Sequence, residues 1–320
     1  MKRFLTKSYA PVMLFTIVVV ALIAILNPRF ISWDNILLVF SQSSTIMLLS
    51  VGMTMVVILG GMDLSVGAVV SLSASLCAVM MRLDYDVTLS VICGLAAAVF
   101  CGVINGFATT RFRAPDIICT LATSYIFRSI ALLVVGDMWL NLFPSEFDWY
   151  GKSSVLGLPF PFVVGIICAL LIAYMLGQTL LGRKIYACGG NLEAARLTGI
   201  RYRNVKMIVY IINGLFSGMA AIMYLSKVGF CNPSSMATTF SNDVLAAVLI
   251  GGASITGGIG SVLGSVVAAI LVSMLKNALT LLHVSAYWVD AISGMLIIMA
   301  IFITTFQQKK RQEIQDRGLV

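Results

Sequence analysis

The chain has 320 residues, 60% of them hydrophobic and 11% charged, with a formal net charge of +8. Soluble domains carry roughly 25% charged residues, so this composition excludes a water-soluble globular protein and makes lipid the natural solvent for the surplus apolar surface. The basic residues gather at the ends of apolar runs, which fits the positive-inside rule better than nucleic-acid binding, and no nucleic-acid partner is expected.

Lys2, Arg3 and Lys7 precede the first apolar run, Ala10 to Leu26, which lacks a small-residue cleavage pattern and reads as a retained helix. Crossing the hydrocarbon core takes about 20 apolar residues. On that basis spans are predicted over 10–27, 35–59, 65–81, 87–110, 117–136, 161–181, 207–226, 243–258, 260–282 and 288–306. About ten spans, an even number, place both basic termini in the cytoplasm, with Lys309, Lys310, Arg311 and Arg317 after the last. The loop "RFRAPD" (111–116) and the block 182–206 are basic and fall inside. The 137–160 segment holds Asp137, Glu146 and Asp148 against Lys152, with Trp139, Trp149 and Tyr150 suited to the interface, and falls outside. The expected fold is an all-α polytopic membrane protein: one transmembrane domain over 1–320 with no soluble domain.

Two segments resemble each other, "VILGGMDLSVGAV" (57–69) and "VLIGGASITGGIG" (248–260). Each runs from apolar residues into a Gly pair and a small polar turn. Paired Gly-interrupted segments point to an internal repeat and broken helices near a transport site; close helix packing on small residues is the other reading.

No phosphate-binding GxxxxGK[ST] loop, HExxH or GxSxG occurs. The single histidine, His283, at an expected outer helix end, reads as structural. The seven cysteines form no CxxC pair and read as small core residues. Ionisable residues within apolar spans are costly and face protein or a watery path; Asp63, Arg128, Lys276 and Asp290 are the candidates. Lys276 and Arg128 also fit structural ion pairs or snorkelling, and Asp63 fits an N-cap before the next apolar run. Neutral polar residues recur in the spans at Gln42, Ser43, Ser44, Thr54, Ser71, Asn105, Asn213 and Asn277, and serve either a hydroxyl-rich solute or interhelical hydrogen bonds. Asp63, Ser65, Asn105 and Asn277 are the candidate translocation-path residues.

The block "GRKIYACGGNLEAARLTGIRYRNVK" (182–206) holds six basic residues and one acid, Glu193. Together with "GGMDLSVGAV", "VLIGGASITGGIGSVLG" and "LKNALTLLHVSAYW", all in the expected order, it resembles the ribose/xylose/galactose-type permeases of ABC sugar importers. The resemblance runs from about Asn27 to about Ile303. It implies a type II importer-like permease in the bacterial cytoplasmic (inner) membrane that pairs with a second permease copy, identical or not. It also implies a separate cytoplasmic ABC ATPase that binds ATP and Mg, leaving no cofactor in this chain, and an extracytoplasmic binding protein that delivers a monosaccharide. "EAARLTG" resembles the EAAxxxG core of the importers' coupling loop, matched by Glu193, Ala194, Ala195 and Gly199, with Arg183 on the same block. Asn191 is a suitable helix cap, and Gly199 can end the helix in a left-handed conformation. Met62 and Ala278 stand where the family often has Ile and Gly. Two other classes remain open: an ion-coupled secondary transporter using Asp63 or Asp290, and a membrane scaffold or receptor subunit that moves nothing.

Overall fold

The computed structural model describes residues 23–25, 27–112, 114–136, 140–141 and 143–284, and residues 288, 291, 294 and 295. The expected first and last spans, 10–27 and 288–306, therefore lie largely outside the described residues, as do Asp290, Trp139 and the basic termini.

The described chain is a helical membrane bundle. Its described helices of six or more residues are α1 (Trp33–Ile58), α2 (Val66–Arg82), α3 (Val87–Arg111), α4 (Asp116–Val135), α5 (Phe160–Gln178), α6 (Leu180–Gly190), α7 (Leu192–Leu197), α8 (Tyr202–Val228), α9 (Pro233–Ile250) and α10 (Val262–Leu281). Six of them, α1, α3, α4, α5, α8 and α10, are long and apolar enough to cross a membrane. α2 has 17 residues and α9 has 18, about 26 and 27 Å at helical rise, which brings each close to the ~30 Å hydrocarbon thickness.

Most spans fall within a few residues of expectation. The exception is 243–258, where the helix runs over Pro233–Ile250 instead. Asn232 caps it by accepting from Ser235 N at 3.2 Å, and Pro233 occupies its first position, where the missing N–H costs nothing. The Ser- and Thr-rich first half lowers its hydropathy without lowering its helicity.

α1 and α8 form the centre, with 67% of their apolar windows buried, while α4 and α5 lie at the rim with 28%. α8 meets α3 at small residues: a Cβ on Gly214 would lie 2.5 Å from Ala98 O, and one on Gly102 would lie 2.5 Å from Tyr210 O. Such close backbone approach is the usual basis of helix association in lipid, where water offers no hydrophobic driving force.

Contacts between loops fix the two faces. β1 (Leu140–Asn141) pairs antiparallel with β4 (Phe230–Cys231), placing the α4–α5 and α8–α9 loops on one face. That face also carries a short hairpin of β2 (Ser154–Val155) and β3 (Leu158–Pro159). On the other face Lys206 forms an ion pair with Asp116 and donates to Thr109 O at 3.3 Å, joining the ends of α3, α4 and α8. α6 and α7 lie on this second face, which holds Arg111, Arg183, Lys184, Arg196, Arg201 and Arg203.

Candidate functional site

The first Gly-rich segment is a true break. α1 stops at Ile58, and Gly60 adopts φ 86°, a conformation that costs glycine little. Gly60 N donates to Val57 O and Gly61 N to Val56 O, each at 2.9 Å, a Schellman C-cap. Irregular backbone inside a membrane protein must find partners in the protein. Here Leu64 N donates to Thr120 Oγ1 at 3.1 Å, and the same hydroxyl lies 3.1 Å from Met62 O. Gly67 N donates to Ser241 Oγ at 3.1 Å, so a side chain of α9 satisfies the first turn of α2.

Asp63 is not the N-cap of α2 suggested by sequence; Ser65 occupies that position. Asp63 Oδ1 accepts from Ser65 N at 2.9 Å and Ser65 Oγ at 2.6 Å, the local turn that Asp side chains favour. Its Oδ2 accepts from Asn213 Nδ2 on α8 at 2.9 Å. The network continues outward: Asn105 Nδ2 donates to Ser65 Oγ, and Thr123 Oγ1 donates to Asn105 Oδ1, both at 2.6 Å. Asp63, Ser65 and Asn105 are thus brought together at 4%, 0% and 1% exposure, closed on one another and away from water in this conformation. Asn277 stands apart on α10; it is buried, and its Oδ1 has no partner among the described residues. Of the other neutral polar candidates, Ser43, Ser44, Thr54, Ser71 and Asn213 are buried, while Gln42 is exposed on α1.

The charged candidates divide. Lys276 pairs with Asp243 of α9 at 2.6 Å, an ion pair within the bundle as the structural reading supposed. Arg128 is partly exposed and forms no ion pair among the described residues. Asp116 and Lys206, assigned by sequence to loops, form a second pair that Tyr210 OH joins at 3.2 Å from Asp116 Oδ2.

The second Gly-rich segment is also a break, residues 251–261 between α9 and α10. Gly252 has φ 88°, and Gly252 N and Ala253 N donate to Leu249 O and Val248 O. This is the same cap as at Gly60, so the backbone matches Gly60 with Gly252, one residue off the register in which the sequence strings look alike.

The two breaks meet, and the basic block meets both. Gly258 N donates to Ile58 O at 2.8 Å. Gly189, near the end of α6, packs on that same contact: a Cβ there would lie 1.8 Å from Ile58 O and 2.6 Å from Gly258 N. Tyr186 OH of α6 donates to Gly260 O at 2.9 Å. Burial pushes the Tyr186 phenol above its ordinary range, which keeps it a donor. α6 therefore touches both the C-terminus of α1 and the α9–α10 break.

The block that grips this junction is a helix pair. α6 is capped by Thr179 and α7 by Asn191, whose Oδ1 accepts from Ala194 N at 3.0 Å. Gly199, at φ 81°, ends α7, with Gly199 N donating to Arg196 O and Ile200 N to Ala195 O. Ala195 is buried against the protein, while Arg183, Glu193, Ala194 and Gly199 are exposed. Leu197 is 89% exposed, a single large apolar side chain held out on a polar block. Beside it a cavity of about 810 Å³ is lined by Thr109, Arg196, Arg201, Tyr202 and Arg203, among others. Among the described residues no group of three or more His, Cys, Asp or Glu side chains is placed to hold a metal. An exposed helix pair is thus in contact with both helix breaks.

Residues 35–301 match the family described as the branched-chain amino acid transport system/permease component. The chain is 31% identical over 314 residues to the ribose import permease protein RbsC of Escherichia coli K12, covering 96% of this chain and 98% of that one. The corresponding protein of Bacillus subtilis is 33% identical over 288 residues, 89% of each chain. The autoinducer 2 import system permease protein LsrC of Salmonella paratyphi B is 31% identical over 273 residues, 85% of this chain and 79% of that one. No solved structure matches. With this coverage and this arrangement of helices, the chain belongs to the branched-chain amino acid/ribose permease family of ABC importers.

Proposed function

We propose that this chain is the membrane subunit of an ABC importer that moves a monosaccharide, a ribose-like pentose or a hexose, across the bacterial cytoplasmic membrane. A separate ATPase hydrolyses ATP, an extracytoplasmic binding protein delivers the sugar, and a second permease copy completes the assembly. The basic face is cytoplasmic and both termini lie on it. Relatives named for ribose and for autoinducer 2 import support a small, hydroxylated cargo.

The observation that carries the reading is the seat of Gly189 on the Ile58–Gly258 contact. In this account α7 is the surface that docks the ATPase, through Glu193, Ala194, Leu197 and the turn at Gly199, with Arg183 flanking. Ala195 fixes α7 to its own protein. ATPase closure tilts α6, and α6 shifts both breaks. The Asp63–Ser65–Asn105 network lies directly behind the first break, so its hydrogen bonds open or close as the path does; Asn277 acts beside Lys276 on α10. An ion-coupled transporter has no need of a rigid link between an exposed helix and both breaks.

Copurification with candidate ABC ATPase subunits of the same organism tests the reading, followed by ATP hydrolysis with and without a binding protein and candidate sugars. Stable association with sugar-stimulated hydrolysis is expected; a permease that never retains an ATPase would sink the proposal. A thiol introduced at position 203 should react only from the cytoplasmic side.

A further inference from the structure

The helices at the rim are recognised by what they expose. α4 presents Leu121, Ile126 and Leu133, and α5 presents Leu170 and Leu171, as lipid-facing helices must. α9 is different. Its exposed residues are Ser235, Thr238, Thr239 and Asn242, and none is apolar. They recur at the spacing of one helix face. α9 starts beside β4, on the face opposite the basic block, so the stripe runs from that surface to about 15 Å along the helix. Four polar side chains in the outer half of a membrane helix are costly against hydrocarbon.

The chemistry of the stripe is specific. Ser235 Oγ donates to Asn232 O at 3.2 Å, and the Thr238 and Thr239 hydroxyls approach Ser235 O at 3.2 and 3.0 Å. Their protons are directed to the helix's own carbonyls, leaving oxygen lone pairs for outside donors, while the Asn242 amide can both donate and accept. The stripe carries no formal charge. At its inner end the next residue is Asp243, neutralised by Lys276, whose side chain is 24% exposed. The residue before Asn242 is Ser241, which accepts from Gly67 N and lies 3.3 Å from Leu64 O at the first break.

We infer that the Ser235–Thr238–Thr239–Asn242 face of α9 is a wall of the solute path and takes a neutral, hydroxyl-bearing solute. This inference rests on the transport reading above and adds the residues that meet the cargo. The wall offers acceptors to sugar hydroxyls and an amide to orient them. A charged solute would find no counter-ion on the stripe. Ser241 joins this wall to the break, so a solute on the stripe and a tilt of α6 act on connected backbone.

The test uses the assembled transporter with a cysteine-free permease. Single thiols at positions 235, 238 and 242 should react from outside with a membrane-impermeant, charged thiol reagent, and thiols replacing Ile126 and Leu133 should not. In proteoliposomes, Thr238→Val and Asn242→Leu should each lower uptake of radiolabelled ribose by about fivefold, the effect of one lost hydrogen bond, while the ATPase stays bound. Unreactive thiols at all three positions would show the face sealed by lipid or protein and overturn the inference even if uptake persists. Wild-type uptake by both variants would overturn it as well. Reactive stripe thiols in a transporter that moves neither ribose nor any other neutral pentose or hexose would support the path and refute the proposed cargo, which separates the two failures.

Discussion

Replacing Gly189 with alanine adds one carbon where the backbone leaves no room. The new Cβ would lie 1.8 Å from Ile58 O and 2.6 Å from Gly258 N. Both are backbone atoms, Ile58 O at the end of α1 and Gly258 N in the α9–α10 break, so α6 must back away by about 1 Å before the contact is tolerable. That movement breaks or lengthens the Gly258 N–Ile58 O hydrogen bond of 2.8 Å. Leaving those two groups unmet costs about 1–3 kcal/mol, and a coupling free energy reduced by 1–3 kcal/mol corresponds to roughly 5- to 150-fold weaker coupling between sites. The neighbouring Gly190→Ala is the control, because nothing lies within 4 Å of the carbon it adds. Uptake and binding-protein-stimulated ATP hydrolysis should both fall in Gly189→Ala and persist in Gly190→Ala, at equal membrane abundance. Equal transport by the two variants would refute the claim that α6 works through this contact.

Three further outcomes are expected. Gly199→Val places a β-branched residue at φ 81°, which such residues tolerate poorly, and Glu193→Lys removes the only acid of the 182–206 block; both should weaken retention of the ATPase in pull-downs while leaving insertion intact. Asp63→Leu deprives the donors of Ser65 and Asn213 of their acceptor and should abolish uptake, whereas Asp63→Asn keeps one acceptor oxygen and should retain measurable transport; inert Asn and Leu variants with ATP-independent uptake would instead fit a protonation-driven carrier. Lys276→Met removes the cation paired with Asp243 and should lower the thermal unfolding temperature, while adding Asp243→Leu should recover part of the loss.

Much of this architecture was legible because membrane helices announce themselves by length and hydropathy. α3 and α4 fall within a residue or so of their expected bounds for that reason. α9 did not, because Ser234, Ser235, Thr238, Thr239, Ser241 and Asn242 read as loop to a hydropathy window; the signal that could have found it was the Asn232–Pro233 cap and first position. The same polar residues hid Asp243, and with it the partner of Lys276. Asp116 and Lys206 are 90 positions apart, and nothing in their local sequence points one to the other. The Gly segments were visible as strings, yet their meeting at Gly189 is tertiary. Asn191 and Gly199 were legible because caps are local chemistry, whereas Asp63 was misplaced by two residues because an Asp-centred turn and an N-cap present nearly the same sequence.

The central claim, that an outside ATPase drives this permease through the 182–206 block, is tested most directly in proteoliposomes holding the permease, its ATPase and the binding protein. Uptake of the sugar that stimulates ATP hydrolysis should require ATP on the ATPase side, be indifferent to collapse of proton and sodium gradients, and disappear when Leu197, exposed to 89% on α7, is replaced by Asp. Uptake that follows an ion gradient without ATP, and survives Leu197→Asp, would contradict it.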